Sequence, residues 1–129
     1  MIVDTSALAA ILFQEGDALD YARALLEEGG ATISAANLVE LTMVVEGRAG
    51  VEAGPEVDDL LNRFDISVFP VTRHQAELAR QAWRRFGKGR HPAALNFGDC
   101  FSYALAIHLG RPLLFKGDDF ARTDVKAAL

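Results

Sequence analysis

The sequence is short of cysteine: Cys100 stands alone among 129 residues. An intrachain disulfide is therefore impossible, and a zinc site built from several thiolates is not expected. Long apolar runs are absent as well. The longest unbroken one is Ala7 to Phe13, far below the ~20 residues that span a bilayer. The opening Met1-Ile2-Val3-Asp4 puts a carboxylate where a secretory signal carries positive charge. A cytoplasmic protein with no membrane partner is the expectation. Positive charge is also scarce, at a formal net of −5, which argues against a protein that coats nucleic acid by bulk attraction. Finally, the chain has no HExxH, no GxSxG elbow, no GxxxxGK[ST] loop and no GxGxxG fingerprint, so several common catalytic frameworks are excluded.

What is present is a core. Half the residues are hydrophobic and 24% are charged, a balance that fits one folded domain over residues 1–129. Short β-prone stretches alternate with helical ones. Ile2-Val3, Ala31–Ser34, Ile66–Phe69 and Leu113–Phe115 read as strands. Helices are expected from Ser6 to Phe13, from Asp17 to Glu28, from Ala36 to Glu46, from Pro55 to Phe64, from Thr72 to Phe86, and from near Asp99 to Leu109. In the second, Leu19, Ala22, Leu25 and Leu26 form the expected buried face; in the third, Leu38, Leu41, Thr42 and Val45 do. Gly47–Pro55 and Gly87–Gly98 read as loops, and a last edge strand is expected near Val125. Strands separated by helices imply a mostly parallel sheet covered on both faces, a three-layer α/β/α sandwich. In such sheets ligands bind beyond the carboxyl ends of the strands.

Acids collect at that rim. Asp4 follows the first strand, Asp118 and Asp119 follow the fourth, and Asp99 opens a helix after a loop. Glu40 sits in an otherwise apolar helix, three residues from Asn37 and so on the same face. Taken singly, each has an ordinary reading: Asp4 and Asp99 as helix caps, Asp118 and Asp119 as turn residues, Glu40 on a solvated flank. Taken together, acids from distant segments on one rim repel unless protons or a cation neutralise them. Mg²⁺ and Mn²⁺ accept such oxygen donors. The three histidines, His74, His91 and His108, have no metal-ligand spacing; His74 and His108 read as structural, and Cys100 reads as a buried thiol.

The charge is unevenly spread. Residues 1–72 carry three arginines against thirteen acids, a net of −10. Residues 73–90 carry Arg73, Arg80, Arg84, Arg85, Lys88 and Arg90 against Glu77, a net of +5. The bland reading is a solvated helix face. The functional one is a phosphate-binding platform that leads into Asp99, formed by Arg84, Arg85, Lys88 and Arg90. Gly87 and Gly89 would let that backbone approach a ligand closely.

Four segments give the chain a resemblance to the PIN domains, and within them to the VapC-type toxins of toxin–antitoxin pairs. They are Met1-Ile2-Val3-Asp4-Thr5-Ser6-Ala7, Glu40 in its helix, Asn96-Phe97-Gly98-Asp99-Cys100-Phe101-Ser102-Tyr103-Ala104, and Pro112-Leu113-Leu114-Phe115-Lys116-Gly117-Asp118-Asp119-Phe120. The resemblance covers nearly the whole chain. It implies an α/β/α sandwich and a Mg²⁺- or Mn²⁺-dependent endoribonuclease. Asp4, Glu40 and Asp99 match the family's metal-binding acids, and Ser6 matches a hydroxyl that supports them. Asp118 and Asp119 both compete for the fourth place, Asp119 matching the more regular Asp before Phe. The resemblance further implies a VapB-type antitoxin, an RNA substrate, a homodimer and a toxin–antitoxin hetero-oligomer. Water would be the attacking group, leaving a 5′-phosphate and a 3′-hydroxyl.

Rival readings fit less well. A haloacid-dehalogenase-type phosphatase wants a second Asp two residues after the first, where this chain has Ser6; a receiver domain wants an Asp at the end of its third strand, where this chain has Phe69-Pro70. A catalytically inactive PIN-like module that binds RNA or protein is the remaining alternative. The high apolar fraction suggests an exposed patch for a partner helix or a second subunit, with Asp17–Glu28 and Pro55–Phe64 as candidate surfaces and core packing as the simpler reading.

Overall fold

Alternation along four short strands decides which side chains meet which layer of helices. The computed structural model describes residues 1–129. Its strands are β1 (Ile2–Val3), β2 (Ala31–Ser34), β3 (Ile66–Phe69) and β4 (Leu113–Leu114). They pair in parallel in the order β3-β2-β1-β4. Neighbouring residues on a strand point to opposite faces. Val3, Ile33, Ile66 and Leu114 accordingly join one hydrophobic cluster, whereas Ile2 and Leu113 join another.

The first cluster is completed by α1 (Thr5–Leu12), α2 (Ala18–Glu28), α3 (Ala35–Ala49) and α4 (Gly54–Arg63). The second is completed by α5 (Arg73–Phe86) and α6 (Phe97–Leu109). The result is a three-layer α/β/α sandwich. Leu8, Leu25, Ile33, Leu41 and Leu105 are fully buried, each contributing about 1.5–3 kcal/mol by leaving water. No helix is long and apolar enough to cross a membrane.

Local sequence explains most boundaries. Asp4, Ser34, Thr72 and Asn96 each cap a helix with a side-chain oxygen. Gly29 and Gly110 end α2 and α6 in the left-handed conformation. Thr72 accepts from the Gln75 backbone N–H, but the Gln75 amide donates to the Pro70 carbonyl rather than closing a capping box.

Several expectations need correction. α3 runs on through Gly47 to Ala49, and a 3₁₀ turn over Val51–Ala53 links it to α4, where a loop had been expected. β4 stops at Leu114, one residue short of Phe115. The final edge strand is a single bridge between Leu113 and Ala127. In α2, Tyr21 and Leu25 face the core, while Leu19 and Leu26 are 77% and 65% exposed. Tyr21 explains the rotation: its ring is buried while its hydroxyl donates to Asp17 at 3.0 Å, so the helix turns an aromatic inward that periodicity of aliphatics alone ignores. In α3, Leu41 and Val45 are buried, but Asn37 takes the innermost place and Leu38 and Thr42 are only partly covered. The apolar residues of α4, Val57, Leu60 and Leu61, belong to the core and leave no apolar docking surface there.

Candidate active site

The strand order reverses at β1. The chain moves outward from β1 through β2 to β3, then crosses to β4 on the other side of β1. Open parallel sheets place their ligand crevices at the carboxyl side of such a switch. Asp4 lies there, and its N–H donates to the Leu114 carbonyl at 2.9 Å. It is 3% exposed. One carboxylate oxygen accepts from the Ser6 N–H at 3.0 Å and the Ser6 hydroxyl at 2.6 Å. The other accepts from the buried Ser102 hydroxyl of α6. The Ser6 oxygen in turn accepts from the Lys116 N–H, at 3.0 Å, which fastens the start of α1 to the segment after β4. Asp4 is thus both a helix cap and an acid whose two oxygens are oriented.

Glu40 is held in the same manner. Its Oε1 accepts from the Thr5 hydroxyl at 2.5 Å and the Asn37 amide at 3.1 Å. The Asn37 amide also donates to the Gly98 carbonyl at 2.9 Å, so one side chain ties α3 to the first turn of α6. Gly98 leaves room for this carboxylate: a Cβ there would stand 1.8 Å from Glu40 Oε2, so the Glu40 side chain would have to move. The Asn37 Oδ1 is buried without a partner, an arrangement costly in a plain core and better suited to a functional site.

Asp99 is the third residue of α6. Asn96, not Asp99, is the cap: its side chain accepts from the Asp99 N–H at 2.9 Å while Asp99 accepts from the Asn96 N–H at 3.1 Å. Burial first, and then the charges of Asp4, Asp119 and Glu40, push the Asp99 carboxyl up to about 7 against the lowering effect of that N–H. Four acids from four segments therefore share one electrostatic neighbourhood. The charge of Asp119 acts on Asp99, and both Asp118 and Asp119 are exposed. None of Asp4, Glu40, Asp99 or Asp119 is in an ion pair. Their orienting groups are neutral, so the negative charge remains available.

The donor set fits a hard divalent cation, since it consists of carboxylate and hydroxyl oxygens. No three acidic, histidine or cysteine side chains stand close enough to enclose an ion by themselves. Mg²⁺ commonly takes one or two carboxylates and keeps several waters, so an open arrangement suits it better than a cage. Cys100 follows Asp99 but is buried, and burial followed by the Asp99 charge pushes its thiol up to about 11. It is not a reactive thiolate.

The basic residues separate into two groups. Arg84 and Lys88 line a groove between α5 and the start of α6. Arg90 lies over the Trp83 ring at 4.0 Å. Arg85 is engaged elsewhere: it pairs with Asp124 at 3.3 Å and donates to the Tyr103 hydroxyl at 3.4 Å. The two loop glycines also differ. Gly87 packs directly on Trp83, where a Cβ would stand 2.3 Å from the Trp83 carbonyl oxygen, so its smallness serves the fold rather than a ligand. Gly89 sits at φ +83° with open space around it.

Sequence reasoning missed Thr5 and Ser102 as the donors that orient Glu40 and Asp4. The available signals were Thr5 adjoining Asp4, and Ser102 one helical turn beyond Asp99 in an apolar helix.

A parallel α/β/α sandwich with acids gathered beside its switch point defines the fold and its acidic rim. Comparison with known proteins narrows this. The PIN domain family model matches residues 1–126, and the chain belongs to that family. Its relatives include Ribonuclease VapC of Mycolicibacterium smegmatis, 50% identical over 127 residues with 98% of each chain covered. Ribonuclease VapC28 of Mycobacterium tuberculosis is 48% identical over 130 residues, covering 100% of this chain and 98% of the relative. The crystal structure of Mycobacterium tuberculosis VapC20, titled a sarcin–ricin loop cleaving toxin, superposes with a TM-score of 0.75 at 20% identity, over 96% of this chain and 95% of that one. That last likeness concerns the fold; the place within the VapC branch rests on the closer relatives.

Proposed function

We propose that this chain is a VapC-type ribonuclease, the toxin of a toxin–antitoxin pair, which cleaves RNA with a bound Mg²⁺ or Mn²⁺ ion. The observation that carries the reading is the gathering of Asp4, Glu40 and Asp99 beside the sheet's switch point, each carboxylate oriented by neutral donors and none of them in an ion pair, with the charges of Asp4, Asp119 and Glu40 all acting on Asp99. One or two of the acids Asp4, Glu40, Asp99 and Asp119 would hold the ion directly and the others would reach it through its waters, with Asp119 favoured over Asp118 as the fourth acid. A cation bound there would supply a Lewis acid for the scissile phosphodiester and an activated water.

The chain's own residues do the positioning. Ser6 and Ser102 fix the Asp4 carboxylate, Thr5 and Asn37 fix Glu40, and the Asn96 N–H fixes one oxygen of Asp99. Arg84 and Lys88 hold phosphates of the substrate strand. Attack by water leaves a 5′-phosphate and a 3′-hydroxyl. A VapB-type antitoxin neutralises the enzyme, with the exposed Leu19 and Leu26 of α2 and Val39 and Met43 of α3 offering apolar contacts to it, in a hetero-oligomer built on a toxin homodimer in the cytoplasm.

Asp4→Asn and Asp99→Asn test the reading. Each is expected to lower Mg²⁺-dependent RNA cleavage about a thousandfold, the several kcal/mol that a metal supplies at a phosphoryl centre, with circular dichroism unchanged. Full cleavage by both variants overturns the proposal. RNA binding with no cleavage by the wild-type chain under any divalent ion favours the inactive binding module instead.

A further inference from the structure

A groove between α5 and the start of α6 lies outside the four acids, none of which lines it. It encloses about 670 Å³. Its apolar wall includes Trp83, Phe97 and Phe101, its rim carries Arg80, Arg84 and Lys88, and no acid lines it. Phe97 is 80% exposed and Trp83 43% exposed. Phe97 meets Phe101 edge to face at 4.9 Å, which holds an exposed ring at a fixed place. Arg80 is engaged by Glu77 at 3.0 Å, but neither Arg84 nor Lys88 is in an ion pair.

Position gives the groove its meaning. Asn96 and Phe97 belong both to its lining and to the turn that presents Asp99. A strand whose phosphodiester lies at the acids would pass the groove within its next nucleotides. We propose that the groove is a nucleobase-stacking subsite: an unpaired base beside the scissile bond stacks on the exposed Phe97 ring, bounded by Trp83, one face of which Arg90 already covers, while Arg84 and Lys88 hold its flanking phosphates. Exposed aromatics beside free cations are the usual platform for single-stranded nucleic acid, because every base offers a π-face. A second copy of the chain fits less well, since a two-fold contact through this face would set one basic rim against another. The inference rests on the ribonuclease reading and adds to it the residues that choose an unpaired base over duplex.

Trp83 is the single tryptophan of the chain, so its emission reports the groove directly. The test uses the full chain in EDTA, which prevents cleavage, with hexauridylate and an abasic ribose-phosphate hexamer as probes. Hexauridylate is expected to quench Trp83 and to bind about tenfold more tightly than the abasic hexamer. Phe97→Ala is expected to bring hexauridylate down to the abasic affinity and to leave the melting temperature unchanged. Equal affinity for the two hexamers, or an unaltered preference in Phe97→Ala, overturns the subsite while RNA cleavage with Mg²⁺ stands. Binding of neither hexamer together with no RNA cleavage overturns the ribonuclease reading itself. Quenching by hexaglutamate but not by hexauridylate assigns the groove to an acidic protein partner. Emission that changes with protein concentration alone, and not in Phe97→Ala, assigns it to a second copy. Either result overturns the proposal.

Discussion

The acid centre and the basic groove lie side by side at the start of α6 and are built on opposite plans. In the centre every carboxylate that matters is partly or fully buried except that of Asp119, and Asp4, Glu40 and Asp99 are each fixed by neutral hydroxyl, amide or backbone donors. In the groove the charged groups are long, exposed side chains on a wall of aromatic surface. Neutral donors orient a carboxylate without cancelling its charge, which keeps attraction for a cation intact. Flexible cations over apolar surface instead suit a polyanion whose phosphates differ in position from one substrate to the next. The first region can be damaged by a shift of an ångström; the second tolerates shifts and responds to loss of charge or of ring area.

Gly98→Ala breaks the first region most severely. The added methyl would stand 1.8 Å from Glu40 Oε2 and 2.4 Å from its carboxyl carbon. Glu40 cannot swing aside without losing Thr5 and Asn37. RNA cleavage is expected to fall at least about a hundredfold, the cost of displacing a catalytic group by roughly an ångström. Stability to urea is expected to fall by about 1–3 kcal/mol, as for other overpacked sites. Gly89→Ala in the neighbouring loop is the control. It has open space and a left-handed backbone, so it is expected to cost about 1–2 kcal/mol of stability with cleavage kept. Full cleavage by Gly98→Ala would show that Glu40 does not need its place.

A smaller effect separates charge from geometry within the centre. Asp99 holds its proton up to about 7 in the fold, against an ordinary carboxyl value of 3.8. Between those values the native state binds more protons than the unfolded chain, so stability falls as pH rises from about 4 to 7 and the penalty is complete above that. Thermal melts in EDTA are expected to show this slope in the wild type and to lack it in Asp99→Asn. Mg²⁺ at about pH 8 is expected to raise the melting temperature of the wild type well above any rise in Asp99→Asn. Parallel pH profiles for the two proteins would mean that neither burial nor the neighbouring acids raise the Asp99 carboxyl.

The two regions also differ in how far the sequence discloses them. Alternating strands and helices follow from periodicity, and the sandwich stands where that reading puts it; Asp4 after β1 and Asp99 in the first turn of α6 lie near the rim that the rule for parallel sheets singles out, whereas Glu40, inside α3, is not placed by that rule. Asp119 against Asp118 is not decided by sequence, because the two adjoin in one turn and their effect on Asp99, where the charge of Asp119 is felt, depends on placement in three dimensions. Ser102 acts on Asp4 across 98 positions, a separation that no local pattern encodes. Arg84 and Arg85 are neighbours of the same type, yet one lines the groove and the other turns to Tyr103 and Asp124, because successive helical residues diverge by about 100°. Leu19 and Leu26 mislead for the converse reason: an apolar stripe shows that a face exists, not whether this chain or another covers it.

The Arg84 and Arg85 pair yields the smallest and sharpest test of where the groove ends. Tyr103 donates to Asp124 at 2.6 Å, so Arg85 completes a three-residue tie between α5, α6 and the tail. An exposed tie of this kind contributes at most about 1 kcal/mol, and Arg85→Gln is expected to lower stability by no more than that. Its effect on RNA should be smaller still. In titrations of hexauridylate at rising salt, each lost phosphate contact flattens the plot of log affinity against log salt by about 0.7 for a single strand. Arg84→Gln and Lys88→Gln are each expected to flatten it by that amount, and Arg85→Gln to leave it unchanged. An equal change in all three would extend the basic surface past Tyr103 toward the tail. No change in any would confine phosphate capture to the acid centre and its ion, leaving the aromatic wall to hold a base without help from the rim.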